Sequence, residues 1–528
     1  METLKRYSLL KKIFAIKSII IILSCIGSSL VIISTLNYGI GLEPDSASYI
    51  AAARNLLLGN GFVSFDAQPL TFFPPFYPIL LALFSYIFGL DALFSAVLLN
   101  ALLFGIIIYK SGMLLTKYLN SKSIIIIGVL AILLSEPIFS NSLWALSDLL
   151  FILLIIWYIN YLVSYIEKKN LLSFIIIVII TALAALTRYI GITFLITTII
   201  TILIYSKDNI RKKIASMFVY SVLSVIPISV WLIRNYIISE TFAGDRGTSR
   251  FSFLTNIYRT IKVILNWCLP GYFGEHKMFF VIILLTIVLF GALLFRKIKY
   301  HALHLKFETP ISLILILFIT VYLFLLILAE TFKAQSAIDS RLLSPIYIPI
   351  IFFSFIILQA YYNSISSFRH YKLLRMAFFF FLIFGITNMC LSTFSIIKNH
   401  FNEGVGYSGS LWKNYYGVDL LKMISKNSIK DSFIYSNDPY SIYFFANEPA
   451  NLSPMKTYEH SDEIYGNLLD LDGIWPSEKE AYLVWFRHKG DVGGWLYKPE
   501  ELASISEMNI TDSSNLYSIY FVKVKKKQ

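Results

Sequence analysis

The stretch "EPDS" (43–46) closes an apolar N-terminal segment and opens "ASYIAAARNLLLGNGF", which reads as an amphipathic helix. It sets two carboxylates, Glu43 and Asp45, just beyond the first greasy run of the chain. A carboxylate within hydrogen-bond reach of a weak nucleophile can take its proton, and Asp45 is the candidate for that work. The competing reading is that Asp45 only N-caps a helix beginning at Ser46 or Ala47. Glu43 is either a second acid of the same site or an ordinary loop residue. Asp148, in "SDLLF", stands at the head of another apolar run. There it either joins a site or meets the positive end of a helix dipole. Arg188, Arg234, Arg246 and Arg341 stand in or beside apolar runs. The planar fork of arginine suits two-point binding of carboxylate or phosphate. Arg188 interrupts a long apolar stretch, where a charge is costly unless it faces water or a phosphate, or snorkels to the interface. Arg341 follows Asp339 by two residues, so a local ion pair competes with a ligand role.

The rest of the chain says where these groups must sit. Of its 528 residues 57% are hydrophobic and only 15% are charged, too few polar groups to clothe a soluble core of this size. A polytopic α-helical membrane protein is therefore expected. Lys and Arg number 45 against 32 Asp and Glu, but the excess lies in short runs between apolar segments. That distribution is membrane topology and not a nucleic-acid surface. Cys25, Cys268 and Cys390 are far apart and form no CxxC, so neither a disulfide framework nor a zinc site is indicated. No histidine cluster argues for a tight metal site, so a divalent cation is an optional cofactor. The N-terminal run resembles a signal peptide without a clean small-x-small cleavage site, and reads as a retained first helix.

Apolar segments sit near 18–36, 91–109, 123–139, 148–166, 171–187, 189–205, 214–233, 278–295, 310–329, 342–362 and 376–397, about eleven spans. With the N-terminus inside, every basic run between them falls on the cytoplasmic side and the C-terminus lies outside. Segments 171–187 and 189–205 read as two short helices meeting at Arg188, since one long helix would put the basic runs flanking them on opposite faces. Residues 1–397 form a transmembrane domain with a long first external loop (37–90), followed by an extracytoplasmic α/β domain (398–528). Within the loop, "FFPPFYPILLALFSYIFG" (72–89) suits a helix in or near the membrane interface. In the tail, "SFIYSN", "AYLVWF" and "LYSIYFVKV" read as strands, and "GVDLLKMISK" and "PEELASISEM" as helices. "YFGEHK", with Glu275 and His276, reads as interfacial.

In order and spacing these pieces resemble the GT-C superfamily of membrane glycosyltransferases, and in particular the bacterial protein O-mannosyltransferase and lipid A aminoarabinose transferase families. The resemblance runs through most of the membrane region. It rests on Asp45 in the first external loop, the Pro-Pro helix after it, "SDLLF" (147–151), "ALTRYIGI" (185–192), "WLIRNY" (231–236) with "GDRG" beyond, and "DSRLLSPIYIP" (339–349). Asp148 stands where the motif has Glu, and two departures stand out: Pro44-Asp45-Ser46 replaces an Asp-Glu pair common among relatives, and the tail carries no sequence pattern tied to a particular acceptor. The resemblance implies a multi-pass protein of the plasma (inner) membrane that moves a sugar from a polyprenyl-phosphate donor to an acceptor hydroxyl outside the cytoplasm. It implies inversion in one step with Asp45 as general base, while Glu43, Asp148, Arg188, Arg234, Arg246 and Arg341 bind substrate. The acceptor is a lipid, a glycan or a protein. A transporter or flippase, or a polysaccharide ligase of the envelope, is the alternative. A transporter would be expected to show inverted repeats and charges near the bilayer midplane.

Overall fold

The computed structural model describes residues 2–268, 310–334, 336–365, 371–426, 429, 432–487 and 494–525. The apolar runs fold as helices because a chain in hydrocarbon must satisfy its own backbone hydrogen bonds. Those that build the site are α1 (Glu2–Thr35), α2 (Pro44–Leu57), α3 (Phe76–Phe88), α4 (Ala92–Tyr118), α5 (Lys122–Leu133), α6 (Glu136–Ser142), α7 (Asp148–Lys168), α8 (Leu171–Thr187), α9 (Ile192–Tyr205), α10 (Ile210–Ser239), α11 (Phe253–Cys268), α12 (Pro310–Phe332), α13 (Ser340–Ile365) and α14 (Tyr371–Glu403). Among the described residues seven helices, α1, α4, α7, α10, α12, α13 and α14, are long and apolar enough to cross a membrane. This is a multi-pass membrane protein. The expected span at 278–295, with Glu275 and His276, lies outside the described residues.

The segment read as one span at 123–139 is broken instead. Helix α5 stops at Leu133, and α6 restarts at Glu136 with an axis bent by 47°. Pro137 explains the break, since a proline has no N–H to donate and disfavours the helical region for the residue before it. It is tolerated in the first turn of α6. Arg188 is a second break: its backbone is extended (φ −148°, ψ 136°) between α8 and a 3₁₀ turn, Tyr189–Gly191. The re-entry is tight enough that a Cβ on Gly191 would come within 2.5 Å of the Ala184 backbone.

The loop between α1 and α4 carries α2 and α3. The amphipathic reading of α2 fails, for Ser46 to Ala53 are all buried. Alanine and serine present so little bulk that neighbours close around the whole turn. Helix α3 does have two faces, burying Tyr77, Leu81 and Ser85 and exposing Ile79, Leu83 and Tyr86.

Past α14 the chain forms a five-stranded sheet of order β2-β1-β3-β5-β4. The strands are β1 (Ile434–Ser436), β2 (Asn451–Leu452), β3 (Glu480–Phe486), β4 (Ser506–Ser513) and β5 (Tyr517–Val524). Strand β1 runs parallel to β2 and β3, while β5 is antiparallel to β3 and β4. The stretch "PEELASISEM" is helical only at Pro499–Leu502, and its end becomes part of edge strand β4. Ladder bonds to β5 override a weak local helix preference there. This unit is fastened to the loops beneath it. Arg54 of α2 holds Asp91 in a two-point pair (2.8 and 2.9 Å) and donates to Tyr443 Oη (3.2 Å). Tyr458 Oη donates to Asp245 (2.6 Å), and Glu463 accepts the Thr248 N–H (2.6 Å).

Candidate active site

The start of α2 is held from both sides. The Gly41 N–H donates to Leu143 O (2.7 Å), the Ala145 N–H to Gly41 O (3.0 Å) and the Tyr407 N–H to Leu42 O (3.0 Å). Glu43 is the N-cap residue, and its N–H donates to Ser46 Oγ (3.0 Å). The helix therefore begins at Pro44, earlier than a capping role for Asp45 requires. Asp45 stands in the first turn, with its carboxylate bonded elsewhere.

Its partner is Arg341, in the first turn of α13. Nη2 of Arg341 donates to Asp45 Oδ2 and Nη1 to Glu43 Oε2, both at 2.6 Å. Its Nε lies 3.6 Å from Asp148 Oδ2. The other oxygen of Asp148 accepts from Arg188 Nη1. Glu43 and Asp45, Arg341, Asp148 and Arg188 thus form one chain of alternating charge, drawn from the α2 start, α13, α7 and the α8–α9 break. Asp148 is only 1% exposed, so its charge depends on the two guanidinium groups beside it. Asp339 does not pair with Arg341. It caps α13 by accepting the Leu342 N–H (2.9 Å).

Burial pushes the Glu43 carboxyl above its ordinary range, against the pull of Arg341, and Asp45 adds to the rise. Tyr49 is pushed up to about 12 by burial and by Asp45, so its phenol is neutral. The ring packs against Phe73 and Tyr77, which fixes this wall of the site.

Arg234 and Arg246 lie apart from the network. Arg234 donates to Leu70 O (2.6 Å) and lies 4.5 Å from the Trp231 ring centroid. Asn235 Nδ2 bonds the next carbonyl, that of Thr71, at 3.1 Å. These contacts clamp the loop before α3 onto α10. Arg234→Ala is expected to expose residues 60–75 to limited proteolysis and to cost roughly 1–3 kcal/mol, read as a lowered melting temperature. Arg246 sits over Phe72 (5.8 Å), with no carboxylate in ion-pair range among the described residues. Lys333 Nζ donates to its backbone carbonyl (3.1 Å).

One carboxylate escaped the sequence reading. Glu330, near the end of α12, is 2% exposed, and its Oε2 has no hydrogen-bond partner among the described residues. It lies in the field of Arg246, Arg188 and Asp339. The signal was available, since it is an acid at the end of an apolar run, like Asp148.

No protein-family model and no curated protein matches this sequence. Solved structures do. The chain has the fold of GT-C membrane glycosyltransferases, as its motifs led one to expect. ArnT from Cupriavidus metallidurans in the apo state aligns over 93% of this chain and 96% of its own, with a TM-score of 0.56 and 11% identity. The same enzyme bound to undecaprenyl phosphate gives 0.53 at 12% identity, over 95% and 97%. The archaeal oligosaccharyltransferase AglB from Archaeoglobus fulgidus, in complex with an inhibitory peptide and a dolichol-phosphate, gives 0.51 at 13%, over 96% and 74%. The mycobacterial arabinofuranosyltransferase AftD gives 0.52 at 12%, over 96% of this chain and 40% of its own.

Proposed function

We propose that this protein is a glycosyltransferase that moves a sugar from a polyprenyl-phosphate donor to an acceptor hydroxyl on the extracytoplasmic face, with inversion. The observation that carries this reading is Asp45 held on Arg341 at the head of α2 and α13, in a fold that ArnT shares while holding undecaprenyl phosphate. Asp45 takes the proton of the acceptor hydroxyl as the new oxygen–anomeric carbon bond forms. The bond from that carbon to the phosphate oxygen breaks, and its electron pair leaves with the polyprenyl phosphate. Negative charge grows on the leaving phosphate, and a guanidinium in a water-poor site is well suited to offset it. Arg341 carries two carboxylates in the free protein, so a phosphate arriving on the Asp45 side competes for Nη2 and frees Asp45 to act as base, while Nη1 stays on Glu43. Arg188 at the α8–α9 break, and Arg246 and Lys333 beyond the ends of α10 and α12, supply further positive charge.

The direct test incubates membranes holding the full chain with a radiolabelled polyprenyl-phosphate sugar and follows label into the acceptor fraction. Translocation of the lipid without covalent transfer would replace this reading with the flippase alternative. Arg341→Ala is expected to weaken donor binding by roughly 10- to 100-fold, the loss of a charge-assisted two-point contact. Unchanged donor affinity would remove Arg341 from the phosphate site.

A further inference from the structure

Beside Arg341 a cavity of about 200 Å³ opens toward α6, lined by Glu43, Glu136, Asn141, Trp144, Asp339 and Arg341 among others. We propose that it is a subsite for the carbohydrate portion of a substrate, a neutral hydroxyl-rich ring, and that it rejects phosphate. The inference rests on the glycosyltransferase reading and adds to it the side of Arg341 on which the sugar lies.

Charge comes first. Three carboxylates face one guanidinium in this wall, and that guanidinium is already bonded to Glu43 and, behind it, to Asp45. A phosphate entering here meets net repulsion. Arg188, Arg234 and Arg246 do not line the cavity, so the groups free to attract phosphate lie elsewhere.

Donors and acceptors come second. An ionised carboxylate only accepts hydrogen bonds, so the occupant has to bring donors. Each acid uses one oxygen on the protein: Glu43 Oε2 on Arg341, Asp339 Oδ1 on the Leu342 N–H, and Glu136 Oε2 on Ser392 Oγ (3.1 Å). Glu43 also takes part in the capping box at the start of α2, so the second oxygens of Asp339 and Glu136 are the ones that remain for hydroxyl groups.

Shape comes third. Trp144 is half-buried, and its six-membered ring is pressed against Gly41 and Gly406. A Cβ on those glycines would come within 2.8 Å of Cε3 and 2.7 Å of Cζ3. The glycines fix the indole while part of it lines the cavity, an apolar surface suited to the C–H face of a sugar ring. An aromatic plate, hydrogen-bond acceptors and no spare cation together select a sugar over its phosphate ester.

The test uses the full chain in a detergent without a sugar headgroup, with saturation-transfer NMR on methyl glycosides of neutral hexoses and pentoses and on their 6- or 5-phosphates. Neutral glycosides are expected to bind at least tenfold more tightly than the phosphorylated ones. Glu136→Lys, at an exposed position, should cut that preference roughly tenfold, about what one charge-assisted contact contributes. Trp144→Ala should weaken the neutral glycosides by a similar factor while polyprenyl phosphate still binds. Displacement of the glycoside by polyprenyl-phosphate sugar assigns the cavity to the donor's sugar, and persistence assigns it to the acceptor's. Equal binding of phosphorylated glycosides, absence of neutral binding, or a preference unmoved by Glu136→Lys overturns the proposal. Failure of polyprenyl phosphate to bind the wild-type chain would instead strike the glycosyltransferase reading.

Discussion

Asp45→Asn is expected to lower sugar transfer by roughly 10²–10⁴-fold while leaving donor binding and folding near wild type. Asparagine keeps the size of the side chain and a carbonyl oxygen that can accept from Arg341 Nη2. It loses the capacity to take a proton from an acceptor hydroxyl. The helix does not depend on this residue for its cap, which Glu43 occupies, so a fall in activity cannot be charged to unravelling of α2. Single-turnover transfer from radiolabelled donor, read beside donor affinity and melting temperature, separates the chemical step from binding. Wild-type transfer by Asp45→Asn would sink the base assignment. Glu43→Gln is the companion measurement, because Glu43 shares the same guanidinium and is held above the ordinary carboxylate range by burial. Loss of transfer in Glu43→Gln alone would exchange the roles of the two acids.

Much of this arrangement could be read from the chain because its signals are local. A long apolar run has one way to satisfy its backbone in lipid, so helices could be placed and Arg188 seen to divide two of them. Of the eleven spans expected, however, the described residues hold seven helices long enough to cross, and those on either side of Arg188 are shorter. Asp45 and Arg341 stood out as charges at the edges of greasy segments. Other features depend on contacts between distant segments. The choice of Asp148 as the partner of Arg188 is made where α7 packs on α8, and no periodicity encodes it. The burial of α2 on all sides follows from what covers it. The break at Ser135 was legible in Pro137, but the hydrophobicity around it hid the proline. Strand β4 owes its form to β5, which comes later in the sequence.

The largest effect on stability is expected at the Asp148–Arg188 pair. Arg188→Ala leaves Asp148 buried with only the more distant Arg341 Nε for company, at 3.6 Å. Breaking one side of a buried pair typically costs about 3–5 kcal/mol, so a steep fall in unfolding midpoint in detergent is expected. The apolar double variant, Asp148→Leu with Arg188→Met, removes both charges and their desolvation cost together. It is expected to recover most of the lost stability, since hydrophobic replacements of buried ion pairs are often neutral or better. What the double variant does to transfer decides why the pair is there. If Asp148 and Arg188 only close a gap between helices, transfer returns with stability. If they orient Arg341 and the leaving phosphate, the double variant folds and remains inactive, because Arg341 has lost the carboxylate behind Nε and the phosphate has lost a cation. The second outcome is the expected one. The chain of alternating charge runs unbroken from Arg188 to Asp45, and a purely structural pair would have no need to touch Arg341.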